Sequence, residues 1–149
     1  MNPEKDFMQA ADRLARVVNI EAPLKAKQLL AATIDDSFTN EEYKPKASKW
    51  AKRKKDKDGA KPRDKRRGLL VKSGDLRRDV TNPEVRGSTV AVGSDLKYAK
   101  VHNEGGKAGR GKGFSMPQRQ FMPIPGEEVP EVTQGLETFL TAQIDKIMP

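Results

Sequence analysis

The sequence predicts an α+β protein, with helices at both ends of the chain and short strands between them. Apolar residues recur every three or four positions in residues 3–38 and again in 127–148, as along one face of a helix. Residues 80–85 and 88–93 are rich in β-branched side chains and flank a turn at Gly87, which is typical of two strands. The 149 residues are enough for one domain, residues 1–149, with a modest core.

The N-terminal region is expected to form two core helices arranged as a hairpin. Asn2 before Pro3 fits an N-cap followed by proline at the first helical position, and Pro23 restarts the chain. The apolar stripe comprises Phe7, Ala11, Leu14, Val18, Leu24, Leu30, Ile34 and Phe38. This spacing indicates packing against a core and shows no pattern of ligand-binding residues.

Basic residues are concentrated in one segment. Residues 44–68 carry 13 of the 29 Lys and Arg but only three Asp, whereas the whole chain has a net charge of +8. Trp50 is the only large apolar residue of the segment, so burial cannot offset the entropy of ordering it. We therefore expect a long flexible loop, which either orders against a neighbouring subunit with Trp50 as its anchor or contacts nucleic-acid phosphates.

The middle of the chain, residues 69–125, is expected to form the core that contains the sheet. Ser73 or Asp75 can cap a short helical turn, and the first strand is expected at an edge or after Pro83. Residues 96–104 fit either a helix or a strand, and a helix would stack Tyr98 on His102. The glycine-rich residues 105–113 are expected to be a flexible loop, and 116–123 an extended segment.

Composition argues against most catalytic chemistry. The chain has no Cys and one His, which removes thiol catalysis, zinc-thiolate sites and clusters of histidine ligands. Residues 106–112 match the start of a phosphate-binding loop, but Gly113 stands where a magnesium-binding Ser or Thr is needed, and Pro117 blocks the following helix. No apolar run approaches the length of a membrane span or signal peptide. We expect no enzyme activity, no cofactor and no membrane association.

Four motifs occur in a characteristic order. They are Leu69-Leu70-Val71-Lys72-Ser73-Gly74-Asp75-Leu76, Val90-Ala91-Val92-Gly93, Tyr98-Ala99-Lys100-Val101-His102-Asn103-Glu104-Gly105, and Met116-Pro117-Gln118-Arg119-Gln120-Phe121. This series resembles the phage virion morphogenesis, or tail completion, family, which includes Mu-type G proteins and P2-type tail completion proteins. Met116 replaces a common Ile or Leu of that family, Asn103 replaces a frequent Gln, and the 44–68 segment is unusually long and basic.

The resemblance implies a structural protein of tailed-phage particles, assembled in the bacterial cytoplasm and located in the tail or neck of the virion. It implies an α+β fold in which a small antiparallel sheet packs against N- and C-terminal helices. It also implies a ring, expected to be hexameric, at the head-proximal end of the tail, in contact with tail tube or terminator proteins and the head–tail connector. Genomic DNA in the lumen is a further expected contact, and a nucleic-acid-binding protein is the alternative reading.

The residue predictions fall into three groups. Expected at the subunit interface are Trp50, Lys52, Arg53, Lys54, Arg66 and Arg67. Expected to be structural are Gly74, Leu76, Gly93, Tyr98, His102, Gly105, Pro117, Arg119 and Phe121, with Tyr98 packed in the core, His102 bonded to backbone and Arg119 paired with a carboxylate. Expected to face DNA are Lys54, Lys55, Lys57, Lys107, Arg110 and Lys112.

Overall fold

One long helix replaces the expected N-terminal hairpin. The computed structural model describes residues 2–53 and 68–148, and it begins with α1 (Pro3–Arg16), a π-helical segment (Val17–Glu21) and α2 (Ala22–Asn40). Proline has no N–H to donate and its ring crowds the preceding turn. The chain absorbs Pro23 by widening one turn, in which the Ala22 N–H bonds the Val17 carbonyl five residues back. The predicted break at Pro23 is therefore a π turn and not a reversal.

The remaining elements are short, apart from the C-terminal helix. The strands are β1 (Glu42–Tyr43), β2 (Ser48–Lys49), β3 (Glu84–Arg86), β4 (Thr89–Ala91), β5 (Gly106–Ala108) and β6 (Phe114–Met116). The helices are a 3-10 turn (Lys44–Lys46), α3 (Asp75–Val80), α4 (Ala99–Glu104) and α5 (Pro130–Ile147). The mixed helix and strand content confirms the predicted α+β class.

The strands form three separate antiparallel pairs, β1–β2, β3–β4 and β5–β6. Val85 pairs with Val90 across the expected turn at Gly87, and β3 begins after Pro83 as expected. The predictions that residues 44–68 and 105–113 are flexible loops are wrong in part. Residues 44–49 lie in the turn and strand of the first pair, and residues 106–116 form the third hairpin, with Lys107 opposite Ser115.

The hydrophobic core lies between α2 and the elements that follow the basic segment. Its buried side chains are Leu30, Ile34, Phe38, Trp50, Leu69, Leu76, Val80, Ala99 and Phe121. Phe38 is at its centre, with ring centroids 5.5 Å from Trp50 and 5.3 Å from Phe121. Helix α5 packs along α2, and a Cβ at Gly135 would stand 2.7 Å from a Leu29 methyl, so a larger residue there would have to displace the Leu29 side chain.

Helix α1 lies outside this core. None of its residues is buried, and Phe7 is 75% exposed. The expectation that its apolar stripe is a core face is wrong, because the continuous helix carries α1 past the elements that cover α2. The α1 part of the stripe, which consists of Phe7, Ala11 and Leu14, is thus an exposed apolar surface.

We predict that Phe121→Ala lowers the free energy of unfolding by about 3–5 kcal/mol, because it empties a fully buried site against Phe38. Phe114→Ala, at a mostly exposed aromatic residue, is the control and should cost less than about 1 kcal/mol. Urea unfolding monitored by circular dichroism measures both. Equal losses in the two variants would refute the central position of Phe121.

Candidate assembly site

Helix α4 holds the extended segment 117–122 through its last turn. The side-chain oxygen of the buried Asn103 accepts hydrogen bonds from the backbone N–H groups of Phe121, at 3.0 Å, and Met122, at 3.1 Å. The His102 carbonyl accepts from the Arg119 N–H at 2.8 Å. One helical turn thus satisfies three backbone donors of a segment that belongs to no sheet. These contacts are called the Asn103 clamp below.

Trp50 and Arg119 join this clamp to the start of the basic segment. The Trp50 indole N–H donates to the Gln120 carbonyl at 2.7 Å, and Arg119 Nε donates to the Ala51 carbonyl at 2.8 Å. Trp50 is 6% exposed within its own chain, so the prediction that it inserts into a neighbouring subunit is wrong. Arg119 Nε bonds a backbone carbonyl and not the expected carboxylate, because the segment 50–53 lies directly against it.

Two of the motif glycines, Gly74 and Gly105, have a positive φ that other residues rarely adopt. Gly105 ends α4 at φ +74°, and a Cβ there would meet the Gln118 backbone nitrogen at 3.1 Å. Gly74 precedes α3 at φ +80°, and Leu76 in that helix is buried. Pro117 is exposed at the start of the clamped segment. Gly93 lies apart from the clamp, in an open polar cleft beside α3.

Tyr98 and His102 line an apolar groove of about 670 Å³ beside α3. Their rings meet edge to face at 6.0 Å, as the four-residue spacing predicts for a helix. Tyr98 is 42% exposed, so its expected place in the core is wrong. The expected hydrogen bond from the His102 ring to backbone is not found at Nδ1, which is buried without a protein partner, although the His102 carbonyl accepts from Arg119. Burial, with a contribution from the Arg119 charge, lowers the pKa of His102.

Glu127 ties the first hairpin to the segment after the clamp. Its Oε2 accepts from the Gln120 side chain at 2.5 Å, the Ile124 N–H at 3.1 Å and the Tyr43 hydroxyl at 3.2 Å, while Lys46 Nζ lies 2.5 Å from Oε1. Burial raises the pKa of this carboxyl group, but the hydrogen bonds and the Lys46 charge outweigh it and leave the pKa below its usual value. Burial and the neighbouring carboxylate raise the pKa of Tyr43.

The described residues on either side of 54–67, Arg53 and Gly68, lie next to each other. Arg53 Nη2 donates to the Gly68 carbonyl at 3.0 Å, and the Glu41 carboxylate accepts the Leu69 N–H at 2.7 Å. Lys52 and Arg53 are exposed at this root. The predicted interface and DNA-facing residues Lys54, Lys55, Lys57, Arg66 and Arg67 lie outside the described residues. Lys107, Arg110 and Lys112 are exposed on the β5–β6 hairpin.

Residues 2–53 and 68–148 contain no cluster of His, Asp or Glu with the arrangement of a metal site. Within the same ranges, no helix has the length and apolarity that a bilayer span requires.

The sequence does not predict the roles of Asn103, which forms the clamp, or of Glu127, which holds the segment after it. Asn103 was visible only as a departure from a family pattern, although a polar residue between Ala99 and Gly105 on the inward side of a short helix is a usable signal. The adjacent Glu127 and Glu128 fit either solvated charge or negative charge at the N-terminus of the last helix, and the partners Tyr43 and Lys46 give no local signal because they are about 80 residues away in the chain.

Comparison with known proteins identifies the family of this chain. The model of the phage virion morphogenesis family matches residues 5–141, which is nearly the whole chain. Mu-like prophage FluMu G protein 2 of Haemophilus influenzae is 25% identical over 140 residues, covering 93% of this chain and 92% of that protein. No solved structure matches the chain. This chain therefore belongs to the phage virion morphogenesis family.

We predict that Asn103→Ala lowers the free energy of unfolding by about 2–4 kcal/mol, because it leaves the N–H groups of Phe121 and Met122 without their acceptor. Asn40→Ala removes an exposed amide from the end of α2 and should change stability by less than about 1 kcal/mol. Chemical denaturation of both variants checks this. Similar midpoints for Asn103→Ala and the parent protein would contradict the clamp.

We also predict that Glu127 contributes stability that depends on pH. Since its folded-state pKa lies below the usual 4.5, the contribution is complete above pH 4.5 and disappears as pH falls through the lowered value. Glu127→Gln should therefore unfold at a lower temperature than the parent at pH 7, and the gap should narrow in acid. A gap that is constant from pH 7 to pH 3, measured by calorimetry, would argue against this role.

Proposed function

We propose that this protein is a structural, non-catalytic component of the tail or neck of a tailed-phage particle. It assembles as a homo-oligomeric ring, with six subunits as the expected number, at the head-proximal end of the tail, and this ring enables the joining of heads to tails. The observation that carries the proposal is the family match across residues 5–141. The Mu-like prophage G protein aligned over most of both chains supports it.

The distribution of polar and apolar surface supports an assembly role. The motif residues Asn103, Arg119 and Phe121 are buried and bonded to backbone, so they hold the fold together. Among the described residues, six of the exposed large apolar side chains lie between residues 7 and 24, and Tyr98 is exposed on a separate surface. A chain that exposes large apolar residues on two separate surfaces has what a head-to-tail ring needs, since such contacts join two different patches.

The ring is tested by native mass spectrometry of the purified protein, in which we expect one closed oligomer of defined mass. Head–tail joining is tested in a phage or prophage that lacks the gene. We expect lysates with separate filled heads and tails, seen by electron microscopy, and recovery of infectious particles when purified protein is added. A monomer at all accessible concentrations would count against the ring, and normal joined particles without the gene would count against the joining role.

A nucleic-acid-binding protein is the second candidate, because residues 44–68 concentrate the positive charge of the chain. In the ring, the same residues and the β5–β6 hairpin would face DNA in the lumen and contact it without sequence preference. The exposed Lys52 at the root of the segment and Lys107, Arg110 and Lys112 on the hairpin are the described residues available for this.

The two candidates differ in how DNA binding depends on salt and assembly. For the ring, we expect weak binding to duplex DNA that falls steeply with salt, with a slope that drops by about 1 for each phosphate contact removed. Fluorescence anisotropy of labelled duplex DNA gives the contribution of each surface to DNA affinity. The basic segment is tested by Lys52→Ala, and the β5–β6 hairpin by the triple variant Lys107→Ala, Arg110→Ala, Lys112→Ala. Tight binding by monomeric protein at physiological salt would favour the second candidate over the ring.

A further inference from the structure

Helix α1 projects from the fold with its apolar face uncovered. It is 14 residues long, about 21 Å, and besides the π segment that continues it, its main contact in the described chain is with α5. Large apolar side chains exposed along one helix face mark an interaction surface. The helix therefore calls for a partner surface that the single chain does not supply.

The exposed face of α1 has a simple chemical pattern. Phe7, Ala11 and Leu14 follow one another at helical spacing and continue to Val18, and all four are exposed. Glu4 precedes them by three residues on the same face, while Gln9 points to the opposite side. The face thus combines large apolar side chains with one carboxylate at its N-terminal end, and Asp6 adds negative charge to the same turn.

The groove beside Tyr98 has the complementary pattern. Its apolar walls are formed by Leu70, Leu76 and Leu96, with Tyr98 at the rim. Its titratable lining consists of Lys72, Asp75 and His102, and Asp75 is paired with Arg78 of the same chain. Lys97 and Lys100 are exposed on the segment that carries Tyr98. The exposed Lys97 and Lys100 give this side of the groove positive charge, which favours an acidic partner.

We propose that α1 of one subunit docks its apolar face into the Tyr98 groove of the next subunit. Phe7 and Leu14 occupy the groove, and Glu4 lies toward the exposed Lys97 and Lys100 beside Tyr98. This is the helix-in-groove mode of recognition, with anchors spaced seven residues apart. The inference rests on the proposed ring and names the surfaces that close it.

A contact of this kind suits a ring because its two sides are different. Each subunit offers one helix and one groove, so every copy gives and receives the same contact, and the chain of contacts ends only when it closes. A pairing of α1 with α1 would instead stop at two subunits. The proposal therefore predicts which residues of neighbouring copies lie close together.

The absence of native cysteine makes this testable by disulfide mapping. Phe7→Cys is combined with Lys72→Cys in one double variant and with Tyr98→Cys in another, all at exposed positions. On mild oxidation, we expect covalent oligomers in at least one double variant, up to the subunit number of the ring. Gln9→Cys combined with the same groove cysteines is the matched control, since it lies on the other side of α1.

A second measurement does not depend on disulfide geometry. Phe7→Glu should weaken the ring, so that the protein concentration below which it dissociates is at least tenfold higher than for the parent. Gln9→Glu should leave this concentration nearly unchanged. Both variants should unfold like the parent as monomers, because both positions are exposed.

The outcomes separate this inference from the ring itself. A ring by native mass with no Phe7 cross-link to the groove and no effect of Phe7→Glu overturns the docking and leaves the ring standing. Cross-linking of Phe7→Cys to itself in the single variant shows that α1 pairs with α1 and also overturns it. A strictly monomeric protein overturns the ring and the docking together.

Discussion

The fold depends on one carboxamide. The Asn103 oxygen accepts two backbone N–H groups from a segment with no strand partner, and the carbonyl before it accepts a third. This brings Phe121 onto Phe38 and presents the Gln120 carbonyl to the indole of Trp50. Because each of these groups is buried, losing the acceptor would leave donors unpaired in the core and would also release the anchor of the basic segment.

This constraint separates the part of the chain that keeps the fold from the part that can meet partners. The family motifs around His102 and Arg119 are occupied by internal contacts, and Gly105 is packed against the clamped segment. What remains exposed among the described residues includes the α1 stripe, Tyr98 at the rim of its groove, and Lys52 and Arg53 in the basic segment. Exposed apolar surface of this kind is suited to contacts with other protein subunits.

The sequence predicts much of this fold, and its errors have physical causes. Helical periodicity located α2 and α5, and the turn at Gly87 located the β3–β4 pair. Periodicity measures amphipathicity but not what covers the apolar face, so α1 was assigned to the core although it is exposed. Pro23 predicts a break in the helix because the sequence carries no local sign of the π turn that precedes it. Trp50 was assigned to a neighbour because its partner, Gln120, is 70 residues away in the chain.

The proposed function places this protein in the phage particle as a single ring. The most direct test is the number of copies per purified particle, measured by quantitative mass spectrometry against the major capsid protein as internal standard. The account predicts a small fixed number that matches one ring, with six as the expected value. Absence from intact particles, or the hundreds of copies typical of a tube subunit, would contradict it.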